Sequence, residues 1–332
     1  MPSLPKPRLR RSARARADGS ALQQAPAEPN VEVVKWGDLR WINIERPGPV
    51  DRAWLEEHFD FHPLDYEDVL SRNQRPKIDE YPDYLFIVLH FPVFDKSVGR
   101  LNAGELDMFI GPDYLITLPN QPLPPVEWLF ERCRSSDETR EALFSKGTGY
   151  LLYKIVDDAF DYCFPMLRKM GNKLERIEEE IFEGRSEEVV RDISNAKQEI
   201  VGFRKVIRPE RAVLRDLERT KQRYMAEDLE VYFDDIVDAS ERIWDMLENF
   251  KEVVEALEDT NESVLSHRVN EVLRVLTAFS VIILPLTLIA SVWGMNVGIP
   301  GENGETAFWV IIVSMLALLV GMVGYFRKRG WL

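Results

Sequence analysis

The sequence predicts an α+β domain, with a sheet flanked by helices, then a long stalk helix and two C-terminal transmembrane helices that make an all-α membrane part. Three observations carry this reading. Strand-like runs separated by turn residues fill 31–119. Residues 210–284 contain neither Gly nor Pro and hold a four-three apolar repeat. Two apolar runs, 275–293 and 307–326, carry no charged residue, and each is long enough at about 1.5 Å per residue to cross a hydrocarbon core of about 30 Å.

In order along the chain, residues 1–30 are rich in Arg, Ala and Pro and poor in large apolar side chains. Six basic and two acidic residues give this segment +4, the composition of a disordered basic tail that could touch anionic lipid. An α/β domain follows over 31–125. "VEVVKWGDLRWINI" reads as one or two strands, and "DRAWLEEHF" and "HPLDYEDVLS" as short helices. "YLFIVLHFPVF" and "ELDMFIGPDYLITLP" read as strands of a mostly antiparallel sheet, with turns at "DKSVGR" and "GPD". Residues 126–226 form a helical region. One long helix is expected to run from Gly147 to Gly184, and a second from Ser186 that tolerates or bends at Pro209.

The stalk spans 227–293, its membrane part being 275–293. Leu229, Phe233, Ile236, Ser240, Ile243, Leu247, Phe250, Val254, Leu257, Asn261 and Val264 form its seam. An oligomer core accounts for such a seam, and so does packing along helices of the same chain; periodicity does not choose. A loop over 294–306, a second span over 307–326 and a basic tail over 327–332 complete the division.

The totals narrow the function classes. The 332 residues carry a net charge of −14, which argues against general nucleic-acid binding and favours gathering cations. The mean hydropathy of −0.23 averages a polar body with a very apolar end. Cys133 and Cys163 are far apart and form no CxxC, as suits a reducing, cytosol-facing compartment. No apolar stretch near Met1 predicts a secretory signal. His58, His62, His90 and His267 lack zinc-site spacing. Neither a phosphate-binding loop nor a nucleophilic triad is evident, so the chain does not read as an enzyme or an ATP-driven pump.

Orientation follows from flanking charge. Arg268 and Arg274 precede the first span and Arg327, Lys328 and Arg329 follow the second, whereas the loop between them carries Glu302 and Glu305 and no basic residue. Both termini are therefore expected in the cytoplasm, with the acidic loop outside, concentrating cations. Within the stalk, Asn270, Leu273, Thr277, Ser280, Leu284, Thr287 and Ser291 continue the four-three spacing as an uncharged, partly polar stripe. Several copies around an axis would make this stripe a narrow path; alternatively it mediates helix packing. Pro285 predicts a kink.

At the end of the first span stands Gly294-Met295-Asn296. With its flanks, "NEVLRVLT", "LPLTLIA" and "FRKRGWL", and with "HPLDYEDVLSRNQRPKIDEYPDYLFIVL" upstream, the chain resembles the CorA family of magnesium channels. Trp293 stands where most members have Tyr. The resemblance implies a homopentameric funnel embedded in the plasma (inner) membrane and a passive uptake path for Mg2+, with Co2+ or Ni2+ as further candidates and no organic cofactor. It implies that Asn296 supplies a ring of carboxamides that hold the hydrated ion, with Gly294 and Met295 shaping the turn. Asn270 and Thr287 become polar rings, and Leu273 and Leu284, where the family often has Met, apolar constrictions. It also implies a regulatory Mg2+ between subunits, with Asp68 on the α/β domain facing Asp235 of a neighbour and Asp157 as a further acidic position. The rivals are a zinc transporter of the same superfamily and a membrane-anchored sensor or scaffold that transports nothing.

Overall fold

The computed structural model describes residues 28–71, 74–95, 100–183, 186–220, 227–295 and 305–331. The chain divides into two compact units, Met1–Leu167 with Val201–Leu247, and Arg168–Ile200 with Glu248–Leu332.

The first unit is built on a six-stranded sheet in the order β1-β2-β6-β5-β4-β3. Its strands are β1 (Glu32–Trp36), β2 (Leu39–Asn43), β3 (Lys77–Glu80), β4 (Leu85–Asp95), β5 (Arg100–Ile110) and β6 (Tyr114–Pro119). Among the described residues only β2 and β6 run parallel, so the sheet is mostly antiparallel as the turn pattern predicts. Gly37, at φ 59°, makes the β1–β2 turn that the sequence left as one strand or two.

Two helices, α1 (Pro49–His58) and α2 (Pro63–Leu70), each begin with Pro in the first turn, where no intrahelical partner is lost. They bury Leu55, Tyr66 and Val69 against Phe86, Val88, Phe109, Ile116 and Leu118 of one sheet face. Stacked rings anchor this layer: Phe61 and Phe109 lie 4.0 Å apart at 8°. The opposite face carries Trp41, which meets Phe130 edge-on at 5.0 Å and donates from Nε1 to Thr117 Oγ1 at 3.0 Å. Phe130 belongs to α3 (Pro124–Ser135), which is followed by α4 (Asp137–Phe144) and α5 (Thr148–Asp161).

The single helix expected between Gly147 and Gly184 is instead two, α5 and α6 (Cys163–Glu183). Pro165 explains the break: its ring would meet the carbonyl of Asp161 and it has no N–H to bond there. The next helix, α7 (Ser186–Arg219), runs on through Pro209. Beside that proline, the fully buried Glu210 reaches the sheet. Its Oε1 accepts from the His90 backbone N–H at 2.7 Å, just past the point where β3 stops pairing with β4. A helix side chain thus caps a strand edge that would otherwise bury an unpaired donor.

The stalk is α8 (Glu230–Trp293), 64 residues without a break, entered through a 3-10 turn at Glu227–Leu229. Leu229, Phe233, Ile236, Ser240, Ile243, Leu247, Val254 and Leu257 are all buried within the single chain. For this part of the seam the structure therefore selects packing within the chain over an oligomer core. Ser240, a polar interruption of the seam, donates to the Val237 carbonyl at 2.7 Å and so needs no outside partner. In the second unit, a Cβ at Gly171 of α6 would lie 3.4 Å from the Phe250 ring, so glycine lets that ring close on the helix backbone. Lys173 pairs with Glu199, and Lys197 with Glu258.

The last helix, α9 (Glu305–Lys328), packs on the end of α8 through Ala278, Ile282 and Phe326, with Leu286, Leu319, Met322 and Val323 around them. Most other large apolar side chains here are open in the single chain, among them Leu276, Ile283, Leu288, Val310, Val313 and Val320. Such a surface is unstable in water over this area and is the form expected of segments solvated by lipid or by further copies.

Candidate functional site

The stripe predicted on the first span is a distinct face of α8. Asn270, Leu273, Thr277, Ser280, Leu284, Thr287 and Ser291 are all exposed in the single chain. Ala278 and Ile282, the residues of α8 fully covered by α9, lie on roughly the opposite side of the helix at about 100° per residue. The stripe is therefore left uncovered by its own hairpin.

Three of its hydroxyls are oriented. Thr277 donates to the Leu273 carbonyl at 2.7 Å, Ser280 to Leu276 at 2.9 Å and Thr287 to Ile283 at 2.8 Å. A hydroxyl carries one proton and two lone pairs. With the proton spent on the helix, each presents acceptor oxygen outward. Such a row suits donors, including the outward-pointing hydrogens of water bound to a cation.

At the top of α8, Gly294 N–H still reaches the Ala290 carbonyl at 2.9 Å. A Cβ on Gly294 would come within 3.1 Å of that same oxygen, closer than most side chains tolerate, which accounts for glycine at this helix end. Trp293 and Met295 are about half exposed. Asn296 and Glu302 lie outside the described residues, and Glu305 is the first residue of α9.

The three acidic positions fall in the first unit at two places. Asp68, in the last turn of α2, is already engaged on both oxygens. Oδ1 accepts from Gln74 Nε2 at 2.9 Å, and Oδ2 from Lys77 Nζ at 2.7 Å. Lys77 also bonds Asp79. Burial pulls the Lys77 ammonium down, but its hydrogen bonds to Asp68 and Asp79 outweigh this and raise it to about 12.

Asp157 and Asp235 occupy a second neighbourhood. Asp157, on α5, pairs with Lys154 at 2.8 Å, and Asp235 is exposed on α8. Both act on the same two groups. Burial first, then Asp157 and Asp235 among other neighbours, push Tyr153 up to about 12. The Asp161 carboxyl is likewise raised by burial and then by Asp157, Asp158 and Asp235. Asp157 and Asp235 thus bear on the same neighbours, whereas Asp68 is held by Gln74 and Lys77. Among the described residues, no three His, Cys, Asp or Glu side chains converge to hold a metal ion. The acidic positions offer hard carboxylate oxygen, the donor type of Mg2+.

Sequence reasoning missed Lys77, Gln74 and Lys154 as partners of these acids. It also missed a buried polar row beside Asp68, in which His90 Nε2 lies 3.3 Å from Glu105 Oε2 and Glu105 accepts from the Gln74 backbone N–H at 3.0 Å. Asp107, next on the same strand face, is 2 % exposed. Burial raises its carboxyl well above the ordinary value, with Glu105 and Asp68 adding to the effect.

Comparison with known proteins decides the affiliation. The sequence profile of one family, described as CorA-like Mg2+ transporter protein, matches residues 36–328. The chain belongs to the CorA family. Members are transporters rather than enzymes, and Mg2+ is the ion of the family. The chain is 33% identical over 296 residues to the cobalt/magnesium transport protein CorA of Thermotoga maritima, covering 88% of this chain and 83% of that one. It is 23% identical over 318 residues to the protein of the same description from Methanocaldococcus jannaschii, covering 95% and 97%. The complete CorA magnesium transporter structure from M. jannaschii has the same fold, with a TM-score of 0.78 at 22% identity over 90% of this chain and 94% of that one. The CorA fold accounts for the combination seen here of an α/β domain, one long helix that ends as an apolar span, and a second apolar C-terminal helix.

Proposed function

We propose that the chain is a passive channel for hydrated Mg2+, working as a homo-oligomer, a pentamer by family resemblance, in the plasma or inner membrane with both termini in the cytoplasm. The observation that carries this reading is the uncovered stripe from Asn270 to Ser291, in which Thr277, Ser280 and Thr287 turn acceptor oxygen outward and which leads to Gly294-Met295-Asn296. Copies arranged about an axis would bring these faces together into an uncharged path, with Leu273 and Leu284 as apolar constrictions that gate by dewetting.

Mg2+ gives up its water reluctantly. A ring of Asn296 carboxamides that accepts hydrogen bonds from bound water selects the ion without stripping it. Glu302 and Glu305 raise the local cation concentration at the outer mouth. An inside-negative potential of 100 mV favours entry of a +2 ion by about 4.6 kcal/mol. Regulation comes from internal Mg2+ held between Asp68 of one subunit and Asp235 of the next, with Asp157 close by. Bridging these carboxylates closes the channel, and loss of the ion frees the subunits to open.

Flux into liposomes holding the purified protein tests the proposal. Wild type is expected to admit Mg2+, with Co2+ and Ni2+ competing and Zn2+ competing weakly, and Asn296→Ala to lose most of that flux. Zn2+ uptake that exceeds Mg2+ uptake would favour the zinc-transporting alternative, since softer nitrogen and sulfur donors are not needed if only hydration water is read. No uptake of any ion at low internal Mg2+ would leave a membrane-anchored sensor.

A further inference from the structure

Both oxygens of Asp68 are occupied in the single chain, and one of the occupants is a cation. Lys77 Nζ sits 2.7 Å from Oδ2, with the Asp68 side chain 20% and the Lys77 side chain 32% exposed. A divalent ion approaching this carboxylate meets a positive charge already seated on the lone pair it needs. Lys77 is also equipped to leave. It bonds Asp79 on its own strand at the same time, and it lies over the Phe86 ring, 5.2 Å from the centroid. Losing Asp68 therefore strands neither charge. Gln74 holds the other oxygen, and its own backbone N–H is fixed on Glu105, so the carboxylate keeps its orientation while the ammonium moves.

We propose that Lys77 is a tethered competitor for the regulatory cation at Asp68, setting the Mg2+ concentration at which that site fills; this rests on the reading of Asp68 as a sensor residue. With the ion absent, Lys77 neutralises Asp68. With the ion present, Lys77 withdraws to Asp79 and the ring face. A half-buried carboxylate is compensated in both states, and the exchange makes the site weak enough to respond only when internal Mg2+ is plentiful.

Mg2+-dependent protection of the purified full-length protein from chymotrypsin, read as a titration midpoint, tests this without reference to transport. Lys77→Met is expected to lower the midpoint about tenfold, equivalent to about 1.4 kcal/mol. Lys77→Arg, which keeps the charge, leaves it within about twofold. Arg75→Met removes an exposed charge two residues away and also leaves it unmoved. An unchanged midpoint in Lys77→Met, or an equal shift in Arg75→Met, overturns the proposal, the latter because a diffuse field would then be the cause. Lys77→Gln is read by the same criteria if the Met variant does not fold. Asp68→Asn separates the two levels: unaltered protection in that variant removes the sensor reading itself, whereas lost protection with an unmoved Lys77→Met midpoint removes only the competitor.

Discussion

Replacing Glu210 with Gln tests how the buried carboxyl behind the sheet is held. In the native chain Glu210 has no exposed side-chain surface. Its Oε1 accepts from His90 N–H, and Oε2 has no hydrogen-bond partner. Burial raises this carboxyl well above its ordinary value, and the His90 bond offsets only part of that. The folded chain therefore keeps a proton on Glu210 at pH values where the unfolded chain has released it. Stability contributed by this proton is complete below the ordinary carboxylate value of 4.5 and declines as pH rises toward the raised one. The slope is at most about 1.4 kcal/mol per pH unit, or roughly 3–5 °C in Tm per unit for a cooperative unit of about 200 residues. Gln keeps the carbonyl that accepts from His90 and has no proton to lose. Thermal melts of wild type and Glu210→Gln in detergent, compared from about pH 5 upward, are expected to diverge by up to that amount per unit until the raised value is passed, with the variant becoming relatively more stable as pH rises. Parallel curves would refute the reasoning, because they would mean that Glu210 is ionised in the folded chain.

Two further outcomes concern packing. A Cβ at Gly104 would lie within 2.9 Å of the ends of the Val93, Gln121 and Leu123 side chains; all three can shift at a cost, so Gly104→Ala is expected to lower stability by about 1–3 kcal/mol, measured as a fall in Tm at fixed pH. Ala278 is fully buried between the two C-terminal helices, and Ala278→Phe should force them apart, abolishing liposome flux and reducing thermal stability, whereas Ala278→Gly should leave the fold standing with a loss of about 1 kcal/mol.

Much of the fold could be read because burial imposes a period on the chain. The uncharged runs and the sheet strands with apolar cores announce themselves in this way. β3 does not, because its four residues, Lys-Ile-Asp-Glu, are none of them fully buried, and Lys77 and Asp79 pair with each other through charge. The break at Tyr162 was encoded by Pro165, which can make no bond to the carbonyl of Asp161, four residues upstream. The seam from Leu229 to Leu257 was legible as a buried face, but a repeat states only that something covers it, and here the cover is the chain's own. At the site, the stripe on α8 was readable for the same periodic reason. Lys77 was not, since the contact between a strand lysine and a carboxylate nine residues earlier on a helix depends on how α2 lies over the sheet. Asn296, on which the selectivity proposal turns, stands outside the described residues, and its candidacy comes from the motif alone.

The back-bonded hydroxyls have a consequence for where discrimination by sign would arise. In the proposed path no stripe residue carries a formal charge or titrates near neutrality, yet the oxygens of Thr277, Ser280 and Thr287 all turn their electron-rich side away from the helix. Repeated around an axis, these small dipoles would make the lining repel anions and welcome cations at any ordinary acidity. Permeation would then keep its preference for positive ions whatever the proton concentration on either side, leaving sensitivity to the cell's interior to the acidic groups of the first unit.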